Sequence, residues 1–137
     1  MANTIDMQEM RYLNLFENIM KVRTRFCFRY NDSLIFSVPR ELVGKAVGEN
    51  GRNIRRMSEI LGKRIRVVAA PLGLHDAEGF IKSIISPLTI RGFEIRDNEL
   101  IVSGGKNKAG LIGRNKRRLL EMQKIVKDFF GKDFRIV

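Results

Sequence analysis

Cysteine and histidine occur once each in this chain, as Cys27 and His75, and tryptophan is missing altogether. A single cysteine excludes an intramolecular disulfide and any cysteine-based zinc site, and it fits a reducing compartment. One histidine and one cysteine cannot build a metal site or a Cys/His nucleophilic pair, and His75 sits beside a break in the hydrophobic pattern, where it reads as solvated. Acids are the other scarcity: 15 Asp and Glu face 26 Lys and Arg. They are scattered, with no Asp-x-Asp or Glu-x-x-His spacing, while Glu94 and Asp97 flank a hairpin turn. No Gly-x-x-x-x-Gly-Lys-Ser/Thr loop for nucleotide hydrolysis occurs either. With no constellation for acid–base, nucleophilic or metal chemistry, the chain is expected not to be an enzyme and to need no cofactor. No stretch approaches the ~20 apolar residues of a spanning helix, and the opening Met-Ala-Asn-Thr-Ile-Asp lacks a leader's basic and apolar regions. A soluble, cytoplasmic protein is expected, without a membrane partner.

What the chain does have is positive charge. Its 137 residues carry a net +11, with pI near 10.4. Such an excess speaks about partners rather than fold, and nucleic acid is the first candidate. An anionic membrane surface is the rival, but it needs an apolar, Lys-rimmed helix face at the surface. The C-terminal helix alone could offer one, and its apolar face is better used as core. At 44% apolar residues the chain is globular, with room for one domain or two very small ones.

Taken in order, residues 6–20 predict a helix, with Asp6 and Glu9 as a capping-like start and Met10, Leu13, Phe16 and Met20 at helical spacing. Residues 24–30 alternate, with Phe26, Phe28 and Tyr30 on one face and Arg25, Cys27 and Arg29 on the other. Asn31-Asp32-Ser33 is turn chemistry, and Leu34-Ile35-Phe36-Ser37-Val38 is the returning strand. Pro39 opens a short helix over 40–47; a second follows, with Ile54, Met57 and Leu61 inward and Gly62 closing it. Residues 64–70 complete a three-stranded set.

Pro71-Leu72-Gly73 marks a linker, and then the order repeats. Phe80, Ile81, Ile84 and Ile85 make a helix ending at Ser86-Pro87, residues 88–95 form a strand with Gly92 as a bulge, and Asp97-Asn98 turn into Leu100-Ile101-Val102. Gly104-Gly105 opens a basic stretch before a long helix over 117–130 and a last strand over 134–137. Helix–strand–strand–helix–turn–helix–strand thus occurs twice, about 65 residues apart.

The first unit is organised around Ala46-Val47-Gly48-Glu49-Asn50-Gly51-Arg52-Asn53-Ile54, then Arg55-Arg56. Glycines at the ends of the turn permit positive φ and leave no Cβ between backbone and ligand. The unpaired N–H groups of the next helix face the same space, a ready place for phosphate. Two registers compete for the second copy. The literal match, Gly110-Leu111-Ile112-Gly113, exposes Leu111 and Ile112 and puts Lys116 in the core. An offset of 65 instead matches Ile54, Met57 and Leu61 with Leu119, Met122 and Val126, and aligns the preceding strands without a gap. Burial favours this second register, so the second turn is Gly113-Arg114-Asn115-Lys116, with lysine in the place of the closing glycine.

An apolar pair, Gly-x-x-Gly, and an apolar residue three positions on resemble the KH-domain signature, and the element order is similar to the type II variant. The tandem resembles the archaeal NusA-like transcription factors, with Ile35-Phe36-Ser37-Val38 and Leu61-Gly62-Lys63-Arg64-Ile65-Arg66-Val67-Val68 in one unit and Phe80-Ile81-Lys82-Ser83-Ile84-Ile85-Ser86-Pro87 opening the other. The resemblance implies an α+β fold (an α/β sandwich) of two tandem type II KH domains, each with a three-stranded sheet, over 1–70 and 76–137, joined by a short linker over 71–75. It implies that the loop clamps about four single-stranded nucleotides. Gly48, Glu49, Asn50 and Gly51 would touch the RNA backbone, with Lys45, Arg52, Asn53, Arg55 and Arg56 around them. In the second domain the matching set is Gly113, Arg114, Asn115, Lys116 and Arg117. Residues 104–137 hold ten Lys/Arg against three Asp/Glu, +7 of the chain's +11.

Three readings follow. The first is a monomeric single-stranded RNA-binding protein of transcription elongation, termination or antitermination, with RNA polymerase as a further partner. The second is a docking module on RNA polymerase or ribosomal particles. The third is an RNA-binding factor in ribosome or RNA processing.

Overall fold

Tyr12, Phe16 and Met20 recur every fourth residue and form the buried stripe of the first helix, α1 (Met7–Met20). The computed structural model describes residues 7–137, so the expected Asp6 cap lies outside the described residues. Met10 does not belong to the stripe: it is 56% exposed, and Tyr12, one residue short of the expected Leu13, takes the inward phase.

The chain divides between Ala70 and Pro71 into two compact units. In the first, β1 (Phe26–Tyr30) and β2 (Ser33–Val38) form a hairpin through Asn31 and Asp32, both at positive φ, as a tight hairpin turn demands. A three-residue 3-10 turn, Arg40–Leu42, leads into α2 (Val43–Val47), followed by α3 (Arg52–Leu61) and β3 (Arg64–Ala69). β3 lies parallel to β2, which is therefore central. One face of the sheet carries the helices: Phe16, Met20, Ala46 and Met57 pack with Leu34, Phe36, Val38 and Ile65. Phe16 stacks on Phe36 with ring centroids 4.3 Å apart.

β1 takes the phase that β2 gives it. Cys27 is registered with Phe36 and packs on the helical core. Phe26, Phe28 and Tyr30 therefore share the opposite face with Ile35 and Ser37, which are buried too. On β3, burial and then the neighbouring Arg64 lower the Arg66 guanidinium below its ordinary range, while Tyr30 acts the other way.

The second unit repeats the order as α4 (Ala77–Ile85), β4 (Gly92–Arg96), β5 (Glu99–Ser103), α5 (Lys108–Ile112), α6 (Arg117–Phe130) and β6 (Asp133–Ile136). Its central strand is β5, antiparallel to β4 and parallel to β6. Phe80, Ile81, Ile84, Leu100, Val102, Met122, Val126 and Phe134 are buried. The strand begins at Gly92, not at residue 88, and β4 pairs in step from Gly92↔Ser103 to Arg96↔Glu99, so Gly92 is no bulge.

The repeat is not gapless. Tyr30 pairs with Ser33 and Arg96 with Glu99, so the strands match 66 residues apart, whereas α2 and α5 match at 65. One residue is lost where Val38-Pro39 gives way to Gly104. Further on, α6 has 14 residues against the 10 of α3. Four residues add about one turn and keep the apolar face in phase. The longer end carries Phe129 and Phe130 against Phe80, at centroid distances of 4.7 and 6.0 Å. Both helices end on glycine at positive φ, Gly62 and Gly131. Among the described residues the chain is thus an α+β protein of six α-helices and two three-stranded sheets.

Truncating Phe16 removes a fully buried ring, so Phe16→Ala should cost about 3–5 kcal/mol. Met10→Ala should stay within about 0.5 kcal/mol. Urea unfolding of both variants checks this, and equal losses would contradict the inward phase assigned to α1.

Candidate functional site

Between α2 and α3 the chain reverses over Gly48 and a 3-10 turn, Glu49–Gly51; between α5 and α6 it does so over Gly113 and Arg114–Lys116. The two backbones agree closely. Gly48 has φ 82°, ψ 166° and Gly113 has φ 77°, ψ 170°. Asn50 and Asn115 are left-handed, at φ 57°, ψ 28° and φ 56°, ψ 29°. The fourth positions are left-handed as well, Gly51 at φ 73°, ψ 19° and Lys116 at φ 61°, ψ 22°. Lysine therefore holds the geometry of the closing glycine.

The two glycine positions differ in what they demand. At Gly48 the angles belong to a region open only to glycine. A Cβ there would also lie 2.9 Å from Asn53 Cγ and 3.1 Å from the Asn53 backbone nitrogen; at Gly113 it would meet Arg118 Cγ and backbone nitrogen at the same two distances. At Gly51 a Cβ would meet only Arg55 Nη1, at 3.5 Å, an ordinary contact. Lys116 supplies that Cβ in the second loop. The opening glycine is obligatory, and the closing one is a preference worth about 1–2 kcal/mol.

Backbone bonds repeat too. Gly48 N–H donates to Gly44 C=O at 3.0 Å, and Gly113 N–H to Ala109 C=O at 3.0 Å. Gly51 N–H donates to Gly48 C=O at 3.1 Å, and Lys116 N–H to Gly113 C=O at 3.2 Å. The side chain two positions past the turn braces it from behind: Asn53 Nδ2 donates to Lys45 C=O at 3.3 Å, and Arg118 Nη1 to Gly110 C=O at 2.9 Å. Arg118 did not figure among the expected site residues. Its signal is that it occupies the place of Asn53 at the 65-residue offset. Arg55 donates to the Asn50 carbonyl at the first tip.

Neither α3 nor α6 has a side-chain cap hydrogen bond or an acid in its first turn. Their first turns instead carry Arg52 and Arg55, or Arg117 and Arg118; the next position is Arg56 in α3 and Glu121 in α6. Cations at the positive end of a helix dipole are unfavourable by about 0.3–1 kcal/mol each. An anion seated at the loop would reverse that sign. Lys45, Glu49, Asn50, Arg52, Arg55 and Arg56 are exposed around the first loop, as are Arg114, Asn115, Lys116 and Arg117 around the second. Each expected set therefore converges on one loop, with Arg117 also 3.7 Å from Glu121. Not all of the C-terminal charge joins it. Lys127 pairs with Asp133 at 3.3 Å, Arg135 with Glu99 at 3.3 Å, and Lys132 donates to the Asp97 carbonyl.

Among the described residues, no group of three or more His, Cys, Asp or Glu side chains could hold a metal ion. No helix among them is long and apolar enough to cross a membrane. His75 is exposed beside Asp76, 3.8 Å away.

A search of solved structures finds this chain similar to one described as "Crystal structure of APE1850", with TM-score 0.71 and 26% identity over 96% of this chain and 99% of that one. No protein-family model and no curated relative matches the sequence.

Gly48→Ala should destabilise the first unit by about 1–3 kcal/mol, since its angles exclude a side chain. Gly51→Lys, which copies the second loop, should cost about 1–2 kcal/mol at most. Denaturant unfolding ranks the two, and the reverse order would refute the distinction between the glycines.

Proposed function

We propose that the chain is a single-stranded RNA-binding protein of two tandem type II KH domains, acting in transcription elongation, termination or antitermination as the archaeal NusA-like factors do. The observation that carries this reading is the pair of loops. Two turns of one backbone conformation, each without a side-chain cap, open onto basic helices 65 residues apart. Helix starts of this kind hold phosphate through backbone N–H groups, and the arginines add charge-assisted bonds. The element order of each unit, a helix and hairpin before the helix–turn–helix and a strand after it, supports the type II assignment. The protein is proposed to work in the cytoplasm as a binder rather than an enzyme, with RNA polymerase as its second partner.

Gly51 is the right place to test this, because a side chain fits there and aspartate tolerates left-handed φ. Gly51→Asp puts a carboxylate where the phosphate would sit without disturbing the fold. It should weaken binding of a short single-stranded RNA at least tenfold. The slope of log K against log salt should also fall, by about 0.7 for each phosphate that is no longer neutralised. Unchanged binding, or equal competition by duplex RNA, would reject the clamp and favour a docking module whose charge is nonspecific.

A further inference from the structure

Among the described residues eight large apolar side chains are exposed, and one of them stands among cations beside the second loop. Leu120, on the first turn of α6, is 58% exposed. Lys116 lies four residues before it, Arg117 three before and Lys124 four after, and all three are exposed. These spacings make them neighbours of Leu120 along one helix face. At the 65-residue offset Leu120 takes the place of Arg55. In the first unit that position carries its guanidinium up to the loop tip, where it donates to Asn50 C=O and lies 3.5 Å from a Cβ at Gly51. Because the two loops share their backbone conformation, position 120 stands in the same relation to the tip formed by Asn115 and Lys116 as position 55 does to Asn50 and Gly51. The second loop thus lacks a cation at this position and has one at its closing residue, with an apolar surface beneath.

We infer that Lys116 and Leu120 form an amphipathic subsite for one nucleotide of a single strand, with phosphate on the lysine and the face of the base on the leucine. The inference rests on the RNA-binding reading and gives the second loop a part different from the first. Charge complementarity selects the occupant: a polyanion whose apolar parts lie beside its charges suits a leucine flanked by three cations. Helix-surface leucine contacts base faces through dispersion and area burial, with no demand on base identity. The first loop, with Arg55 turned to its own tip, offers no such apolar surface. The two loops should then bind the same strand differently, the first by backbone and charge, the second by charge and base face.

The test uses the full chain and two probes, a short single-stranded RNA and an abasic strand of the same length. Leu120→Ser should weaken RNA binding about three- to tenfold and leave the abasic strand unaffected. Leu120→Met should restore most of the RNA affinity. Lys116→Gln should weaken both probes and lower the salt slope by about 0.7. Equal loss on both probes for Leu120→Ser, or no loss, would overturn the base contact while leaving the loop clamp standing. Preferential binding to phosphatidylserine vesicles that depends on Leu120 would overturn it in favour of a lipid surface. Failure of the wild-type chain to prefer single-stranded RNA over duplex would remove both the RNA-binding reading and this subsite.

Discussion

The opening glycine of each loop is the constraint on which the rest of each unit depends. At φ near 80° and ψ near 170° the glycine begins the reversal of the chain, close enough to the next helix that a Cβ would strike its backbone nitrogen. That bend lets a five-residue helix and a longer basic helix meet across a loop of only four residues. It also aims the start of the second helix at solvent while its apolar face, at Met57 or Met122, stays in the core. Core and candidate site are therefore two sides of one turn.

The turn is held by bonds that leave its front open. Its first N–H bonds back to the preceding helix, its fourth N–H bonds within the loop, and the residue behind it, Asn53 or Arg118, ties back to a carbonyl of the preceding helix. Asparagine and arginine serve equally well there because the task needs only a donor of sufficient reach. What remains exposed is the tip, Glu49 and Asn50 or Arg114 and Asn115, and the cations of the first helical turn. A helix stabilised for its own sake would place acids there. Both units place arginines instead, an arrangement that favours the isolated fold less than it favours a complex with an anion.

Much of this was legible in the sequence, because burial leaves a strong periodic trace. Leu111 settles the register of the second loop: the literal Gly-x-x-Gly match would expose it, and it is buried at 3%. Other features left no comparable trace. The strand over 26–30 is apolar on both sides, with Cys27 between phenylalanines, so alternation alone could not say which face meets the helices; Phe36, opposite Cys27, decides it. Met10 and Tyr12 compete for the inward face of α1, and the packed sheet selects the ring. The residue lost before α5 and the turn gained in α6 compensate within each element, so a single offset described the helices well and the strands less well. The geometry of Lys116 was hidden for an energetic reason. A left-handed lysine costs little enough for the fold to absorb, whereas sequence patterns record glycine as the usual solution.

The two loops then separate two properties that a single Gly-x-x-Gly confounds. Backbone shape is common to both, to within 12° at the closing residue (φ 73° and 61°) and closer elsewhere, and so cannot account for a difference in what they bind. Side-chain chemistry is not common: Gly51, Asn53 and Arg55 on one side face Lys116, Arg118 and Leu120 on the other. In the first loop the arginine is folded onto its own tip, which stiffens the turn and removes one donor from the surface. In the second the cation moves to the closing residue itself, and the vacated helix position turns apolar. The turn is thus retained in both units while its flanks differ, so any difference in what the two loops hold must come from the side chains at these positions.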